Sequence, residues 1–367
     1  MAIKGSHASV PTVTVCVTCV GGRLIYDFIR ALRAATDFHA RIVGIDADPN
    51  AAGRLLCDRF DVLPMAENDE ERYLDSLLSL HQQISLDVYI PLSEAESRLA
   101  AKHREVLLSK GIKPSVSSID TVRVMTDKLL MLQKLKDLEI DTGPFIGVNT
   151  LYEAKDAVYT MGYPDHRVVI KPREGRGSRG VLIADAKKDS FHPLLPERFC
   201  GTGSFEDLCI AMEQEHMTFE RLICVPYYEG PVFDVDCIAT AGKLSDIAAR
   251  LRQLRNPFWP TSTGHRVTMD PTVLDYAKKL CSAFQVDGAG DFDIVLANGQ
   301  QPLLFDAGSR FSGSVGGSFA AGGNFPAQLV RTLLGLPTEP LQIRDGVVIR
   351  PFLTMAPIPP DNQDDLL

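Results

Sequence analysis

Val169-Ile170-Lys171-Pro172-Arg173-Glu174-Gly175-Arg176-Gly177-Ser178-Arg179-Gly180-Val181 is the stretch on which the reading of this chain turns. An apolar strand ends in Lys171. The loop after it carries three glycines and three arginines before a second strand opens at Val181. Glycine has no Cβ, so backbone N–H groups in such a loop approach an anionic oxygen closely. Lysine and arginine add charge-assisted hydrogen bonds. The pattern is a hairpin with a tip suited to phosphate. It is not a Walker A loop, which needs G-K-[ST] entering a helix. An ordinary basic turn has the same composition, so the hairpin needs support from the rest of the chain.

Upstream, apolar runs at 13–20, 40–45, 58–63, 86–91 and 113–117 alternate with helical segments at 23–35 and 67–83. Strands separated by helices imply βαβ units and a parallel sheet, here a Rossmann-like unit over residues 10–118. Open parallel sheets bind ligands at the carboxyl ends of their strands. That makes Pro91-Leu92-Ser93-Glu94-Ala95-Glu96 a candidate for substrate contact. Val20-Gly21-Gly22-Arg23 and Asp46 suggest a dinucleotide site, but the third glycine of that fingerprint is missing. Cys16 and Cys19 form a C-x-x-C inside an apolar run without a second pair, which reads as buried strand rather than a zinc or redox site.

Downstream, residues 127–138 read as a helix with Thr126 as N-cap. Strands at 168–171, 181–184, 222–225, 233–239, 291–297 and 302–306 imply a mostly antiparallel second sheet, in a unit over 119–340 whose small lobe covers about 145–228. One more strand is expected at 346–353, in a C-terminal strand and tail over 341–367. In Gly290-Asp291-Phe292-Asp293, the aspartates lie two apart and share a strand face. Asn298-Gly299 reads as a hairpin turn that returns Asp306 to them. Such carboxylates suit Mg²⁺, which prefers oxygen ligands. Ser309-Arg310-Phe311-Ser312-Gly313-Ser314 follows, and a guanidinium four residues after Asp306 would neutralise charge developing on a transferred group. Arg250, Arg252 and Arg255 could bind a substrate carboxylate bidentately, and His265 reads as a solvated loop histidine.

Composition narrows the class. A formal net charge of −9 argues against a nucleic-acid partner. No apolar run is long enough to span a bilayer, and residues 1–11, with one lysine and no apolar core, do not read as a secretory signal. Eight scattered cysteines in 367 residues suit a reducing, cytoplasmic setting.

The order of these signals resembles one superfamily. Asp127-Lys128 opens a helix, and Ile170-Lys171-Pro172-Arg173 leads into the glycine-rich hairpin. The strand Cys224-Val225-Pro226-Tyr227-Tyr228-Glu229-Gly230-Pro231 follows, and the acidic hairpin closes in Asp306-Ala307-Gly308-Ser309-Arg310-Phe311-Ser312-Gly313. Together they resemble an ATP-grasp ligase of the carbamoyl-phosphate-synthase and biotin-carboxylase type, over about residues 121–336, preceded by its Rossmann-like pre-ATP-grasp domain. The resemblance implies a two-lobed ATP-grasp fold, α/β and α+β, with ATP and Mg²⁺ or Mn²⁺ as cofactors. Lys128 and Lys171 would hold phosphates under a lid that includes Arg173, Gly175, Gly177 and Ser178. The backbone of Val225, Pro226, Tyr227 and Tyr228 would read adenine. Asp293 and Asp306 would bind metal, and Arg310, with Arg250 and Arg252, would serve catalysis.

The reaction implied joins a small-molecule carboxylate to an amine through an acyl phosphate, in a chain that could form a homodimer. A carboxylase reaction would need a biotinyl partner chain. Two departures stand out. The family's E-x-N-P-R pattern reads Asp306-Ala307-Gly308-Ser309-Arg310, so a metal-ligand Asn is Gly308. The ribose-binding acid two after the hinge glycine is Val232, with Asp234 on the same face as its substitute. A catalytically weakened nucleotide-binding or regulatory protein is the alternative these departures motivate. The phosphate reading predicts that ATP with Mg²⁺ raises the melting temperature by mass action and that Lys171→Ala abolishes most of the shift. An equal shift in the variant would remove Lys171 from the site.

Overall fold

The computed structural model describes residues 10–23, 25–175, 177–195, 198–252 and 264–351. Its first unit is a five-stranded parallel sheet in the order β3-β2-β1-β4-β5. The strands are β1 (Thr12–Thr18), β2 (His39–Asp46), β3 (Arg59–Val62), β4 (Val88–Ile90) and β5 (Lys113–Pro114). Helices α1 (Ile25–Arg33), α2 (Glu70–Ile84), α3 (Glu94–Lys102) and α4 (Arg104–Ser109) connect them. Cys16 lies buried in β1. Asp46 accepts from the Gly21 backbone N–H (2.8 Å), so the would-be dinucleotide corner is closed on itself.

The rest divides into two sheets, one in each of two lobes. The small lobe holds β6 (Ile146–Val148), β7 (Val168–Pro172), β8 (Leu182–Ala184), β9 (His192–Pro193), β10 (Gly201–Gly203) and β11 (Leu222–Pro226), in the order β6-β11-β7-β8-β10-β9. Helices α7 (Leu151–Thr160) and α8 (Phe205–Gln214) back it. The large lobe has the order β16-β15-β12-β13-β14-β17. These are β12 (Val232–Thr240), β13 (Lys243–Arg252), β14 (His265–Thr268), β15 (Gly288–Ala297), β16 (Gln301–Gly308) and β17 (Val348–Ile349). Helices α9 (Pro271–Phe284) and α10 (Phe325–Leu334) and a 3₁₀ turn at Val315–Ala321 complete it. The strand 222–225 belongs to the small lobe because it pairs antiparallel with both β6 and β7.

Two helices, α5 (Ile119–Thr126) and α6 (Lys128–Asp137), join the units. Thr126 is not the cap. It ends α5, donating to the Val122 carbonyl (2.9 Å), whereas Asp127 caps α6 by accepting from Leu129 N (3.0 Å) and Leu130 N (3.3 Å). A carboxylate satisfies two of the orphan N–H groups at a helix start better than a hydroxyl already spent backwards.

The first unit is welded to the large lobe. Phe28 of α1 packs into one core with Phe311, Val315, Phe325 and Leu329. Ser117 donates to the Asp287 carbonyl (3.2 Å) and accepts from its N–H (2.9 Å), and Arg104 pairs with the Asp287 carboxylate (3.0 Å).

The large sheet has two unlike faces. One packs Phe233, Val235, Phe292 and Ile294 against Tyr276, Leu280 and Phe284 of α9. The other carries aspartates. Register sets Asp234 beside Asp293 and Asp236 beside Asp291, and pairs Asp293 with Asp306. Arg250 lies among them, fully buried, bonded to the Asp236 carboxylate and donating to Ser312 (2.8 Å), Ser314 (3.3 Å) and Ser318 (3.0 Å). Removing one member of a buried pair strands the other's charge, at about 3–5 kcal/mol. Arg250→Met should therefore lower the chemical unfolding midpoint sharply, and Arg250→Met with Asp236→Leu should recover much of the loss. A single variant as stable as the parent would contradict this role.

Candidate active site in the interlobe cleft

A cavity of about 420 Å³ lies between the lobes, walled by the hinge, the glycine-rich loop, the aspartate face and Glu94. Lys128 reaches it from the first turn of α6, and its Nζ stands 3.0 Å from Asp306 Oδ1 and donates to the Gly175 carbonyl (3.3 Å). Burial opposes its charge, but Asp306 holds the ammonium above its ordinary range. Lys171, at the end of β7, donates to the Phe305 carbonyl (2.7 Å). Burial, and then the nearby Lys128 charge, push it down to about 8.

Asp293 and Asp306 face each other across β15 and β16. Burial pushes Asp293 up to about 7, and the neighbouring Asp234 and Asp306 charges add to this against Arg252, which bonds it at 2.7 Å. A carboxylate raised this far is one whose ionised form burial disfavours, with neighbouring acids adding to the effect. Among the described residues no group of three or more His, Cys, Asp or Glu forms a protein cage for a metal. Two carboxylates at a phosphate-sized cavity fit Mg²⁺, which is commonly held by one or two carboxylates with phosphates completing the shell.

Arg310 donates to Asp291 Oδ2 (2.8 Å) and lies 3.7 Å from Glu94 Oε1. Arg252 lines the cavity and donates through Nε to Asp234 (2.6 Å). The chain turns left-handed at Gly177 (φ 62°), Ser178 (φ 63°) and Gly180 (φ 72°), and at Gly180 a Cβ would also meet the Pro172 ring at 2.8 Å, so glycine is favoured there. Gly175, Gly177, Ser178 and Arg179 line the cavity. Val225, Pro226, Tyr227 and Tyr228 line its other end, with the Tyr227 N–H already donating to the Arg167 carbonyl (2.9 Å).

Several sequence expectations change. Arg250 is absent from the cavity wall and serves the sheet face behind it, because its guanidinium is consumed by Asp236 and three serines. Arg173 points away from the cavity and pairs with Asp127 (Nε to Oδ1, 3.0 Å), bracing the α6 cap. Asp234 borders the cavity, but its carboxylate is spent on Arg252 and His265. Though burial raises it, these partners hold it well below the usual range, so it is already engaged as an ion-pair acceptor. His265 is buried in β14 with Nε2 2.6 Å from Asp234 Oδ2, not a solvated loop residue. Arg176 and Arg255 lie outside the described residues. The residue that motif reading left vague is Glu94, which follows the helix cap Ser93 at the carboxyl edge of β4.

Residues 218–354 match a family model described as ATP-grasp in the biosynthetic pathway with Ter operon. No curated protein matches the sequence. Among solved structures, the L-amino acid ligase from Bacillus licheniformis superposes with a TM-score of 0.63 at 16% identity, over 88% of this chain and 74% of that one. N5-carboxyaminoimidazole synthetase from Staphylococcus aureus, complexed with ADP, gives 0.65 at 15% identity, over 90% of this chain and 80% of that one. The biotin carboxylase domain of 2-oxoglutarate carboxylase from Hydrogenobacter thermophilus, in complex with MgADP, ADP and bicarbonate, gives 0.63 at 16%, over 90% and 72%. A parallel-sheet unit, a small antiparallel lobe and a large lobe with a carboxylate-lined cleft, matched by these comparisons, make this chain a protein of the ATP-grasp fold.

Proposed function

We propose that the protein is an ATP-dependent carboxylate–amine ligase working through an acyl phosphate. The observation that carries this reading is the opposition of Lys128 and Lys171 to Asp293 and Asp306 in one interlobe cavity. Phosphoryl transfer asks the protein for positioning and charge neutralisation more than for covalent chemistry. Val225 to Tyr228 and the apolar wall of Val169, Val295 and Leu303 would take the adenine ring. Lys171 and Lys128 would hold phosphates, with the loop from Gly175 to Arg179 above them excluding water. Asp293 and Asp306 would hold Mg²⁺, which supplies charge neutralisation between phosphates when bound. Arg310 would face the carboxylate that receives the phosphoryl group. Among the described residues no helix is long and apolar enough to cross a membrane, and we place the reaction in the cytoplasm on small-molecule substrates.

Asp306→Asn should still bind ATP, because the adenine end is untouched, but should lose carboxylate-dependent ADP formation by about two orders of magnitude or more, in line with the loss of a transition-state charge contact. Gly308 has no left-handed backbone, and a Cβ there would meet the Arg310 guanidinium at an ordinary 3.5 Å. Gly308→Asn should therefore fold and tighten metal binding. Parent-like turnover by Asp306→Asn would remove Asp306 from the metal site, and absence of ADP formation with any carboxylate would favour a nucleotide-binding regulatory role.

A second test uses Lys171. With its ammonium near half-protonated at about pH 8, binding a polyanion should raise its affinity for a proton. Calorimetry at pH 8 in buffers of different ionisation enthalpy should report proton uptake on ATP binding, and Lys171→Met should remove it. Proton release, or uptake unchanged in the variant, would contradict the assignment.

A further inference from the structure

The glycine-rich loop has a neighbour that its own stretch of sequence does not contain. After β9 the chain returns through Arg198 and Phe199 to β10, which pairs parallel with β8 and so runs beside the end of that loop. Main chain fastens the two stretches together. Gly180 N–H donates to the Phe199 carbonyl (2.7 Å), and Gly201 N–H donates to the Val181 carbonyl (3.1 Å). The Phe199 ring stacks on Phe191, with centroids 5.7 Å apart, which anchors the returning segment in the small lobe. Arg198 is thereby carried on a braced segment, and its Nη1 donates to the Gly177 carbonyl.

Arg198 is half-buried and lines the interlobe cavity. Its one hydrogen-bond partner among the described residues is that carbonyl. A guanidinium has five N–H donors, so most of its hydrogen-bonding capacity is left for a ligand. Arg179 lines the same cavity, and both guanidinium groups stand close to Gly177. A Cβ on Gly177 would lie 2.8 Å from Arg198 Nη1 and 3.4 Å from Arg179 Nη1, so glycine is what lets both approach. The other side of the loop is tied to Lys128, whose Nζ donates to the Gly175 carbonyl (3.3 Å). Gly175 and Gly177 are two residues apart, a separation of at most about 7 Å. Arg198 and Lys128 therefore flank one short length of loop at the edge of one cavity, as a ligand carrying several linked phosphates would need.

We propose that Arg198 is a polyphosphate-binding residue of this cleft, supplied from outside the glycine-rich loop, and that the segment from Arg198 to Gly201 is a second arm of the cover over the phosphates. This rests on the nucleotide part of the ligase reading. The ligand is the di- or triphosphate of a nucleotide, because a fork of N–H donors matches phosphate oxygens in charge and in geometry. An uncharged nucleoside gains nothing from it.

Two measurements on the full chain test the assignment. In calorimetric titrations, Arg198→Met should weaken MgATP and MgADP about tenfold, the size expected for losing a charge-assisted contact, and leave adenosine unchanged. An unchanged affinity for MgATP overturns the assignment and leaves the ligase reading standing. Equal weakening of adenosine marks a structural loss and also overturns it. The second measurement needs no variant. Phenylglyoxal labels accessible arginines, and peptide mass spectrometry reads the label at Arg198. MgATP should protect Arg198 and saturating adenosine should not. Equal labelling with and without MgATP, or equal protection by adenosine, contradicts the contact. A parent protein that binds no MgATP loses both readings. One that binds MgATP through Arg198 but forms no ADP with any carboxylate keeps this assignment and loses the ligase.

Discussion

Five aspartates on one face of one sheet set the terms for the rest of this molecule. Asp234, Asp236, Asp291, Asp293 and Asp306 are brought together by register across β12, β15 and β16. Charges that close, on a face that is largely buried, are tolerated only where cations meet them. Arg250 meets Asp236, Arg252 meets Asp234 and Asp293, Arg310 meets Asp291, and Lys128 meets Asp306. Lys171 stands beside the same carboxylates, and burial, with the Asp234 and Asp306 charges adding to it, still pushes Asp293 up to about 7. A divalent ion bound with nucleotide would favour the ionised carboxylates, and the chemistry proposed for the cleft starts from there.

The cations arrive from three different places, which explains why the fold is built in pieces around the cleft. Arg250 and Arg252 come from the neighbouring strand, Arg310 from the loop after β16, and Lys128 from the helix that leads into the small lobe. Arg173 and Asp127 hold the start of that helix against β7, so that Lys128 and Lys171 converge. Glu174 ties the same loop to Arg98 of α3 (3.2 Å) and to Arg221. Glycine-rich loop, first unit, small lobe and the start of α6 are therefore connected through a single chain of ion pairs. Exposed pairs of this kind contribute little stability individually, and their value here is geometric: they set which surfaces confront one another across the cleft.

Local chemistry made the hairpin at Lys171, the acidic turn around Asn298-Gly299 and the alternating first unit legible in the sequence, because each is written in contiguous residues. Residues whose role depends on a partner far along the chain were not legible. Arg250 and Arg252 look alike two apart on a strand, yet one is swallowed by Ser312, Ser314 and Ser318 while the other borders the cavity. Nothing near residue 250 announces those serines. His265 looks solvated until Asp234, on a strand two places away in the sheet, is set beside it. Asp127 outbids Thr126 as cap because a second helix, α5, ends where the first signal pointed.

Gly308 shows how a departure from a motif can belong to a consistent local design. It lies opposite Asp291 in the ladder, and the nearest atoms to a Cβ there would be those of the Arg310 guanidinium. An asparagine would bring an amide to the same space, competing for that guanidinium. With glycine, Arg310 reaches across to Asp291 and stands within 3.7 Å of Glu94. A glycine opposite Asp291 and an arginine that reaches Asp291 and Glu94 thus go together. That guanidinium is fixed before any ligand arrives, and electrostatic stabilisation acts most strongly where charge is held in place and water is excluded.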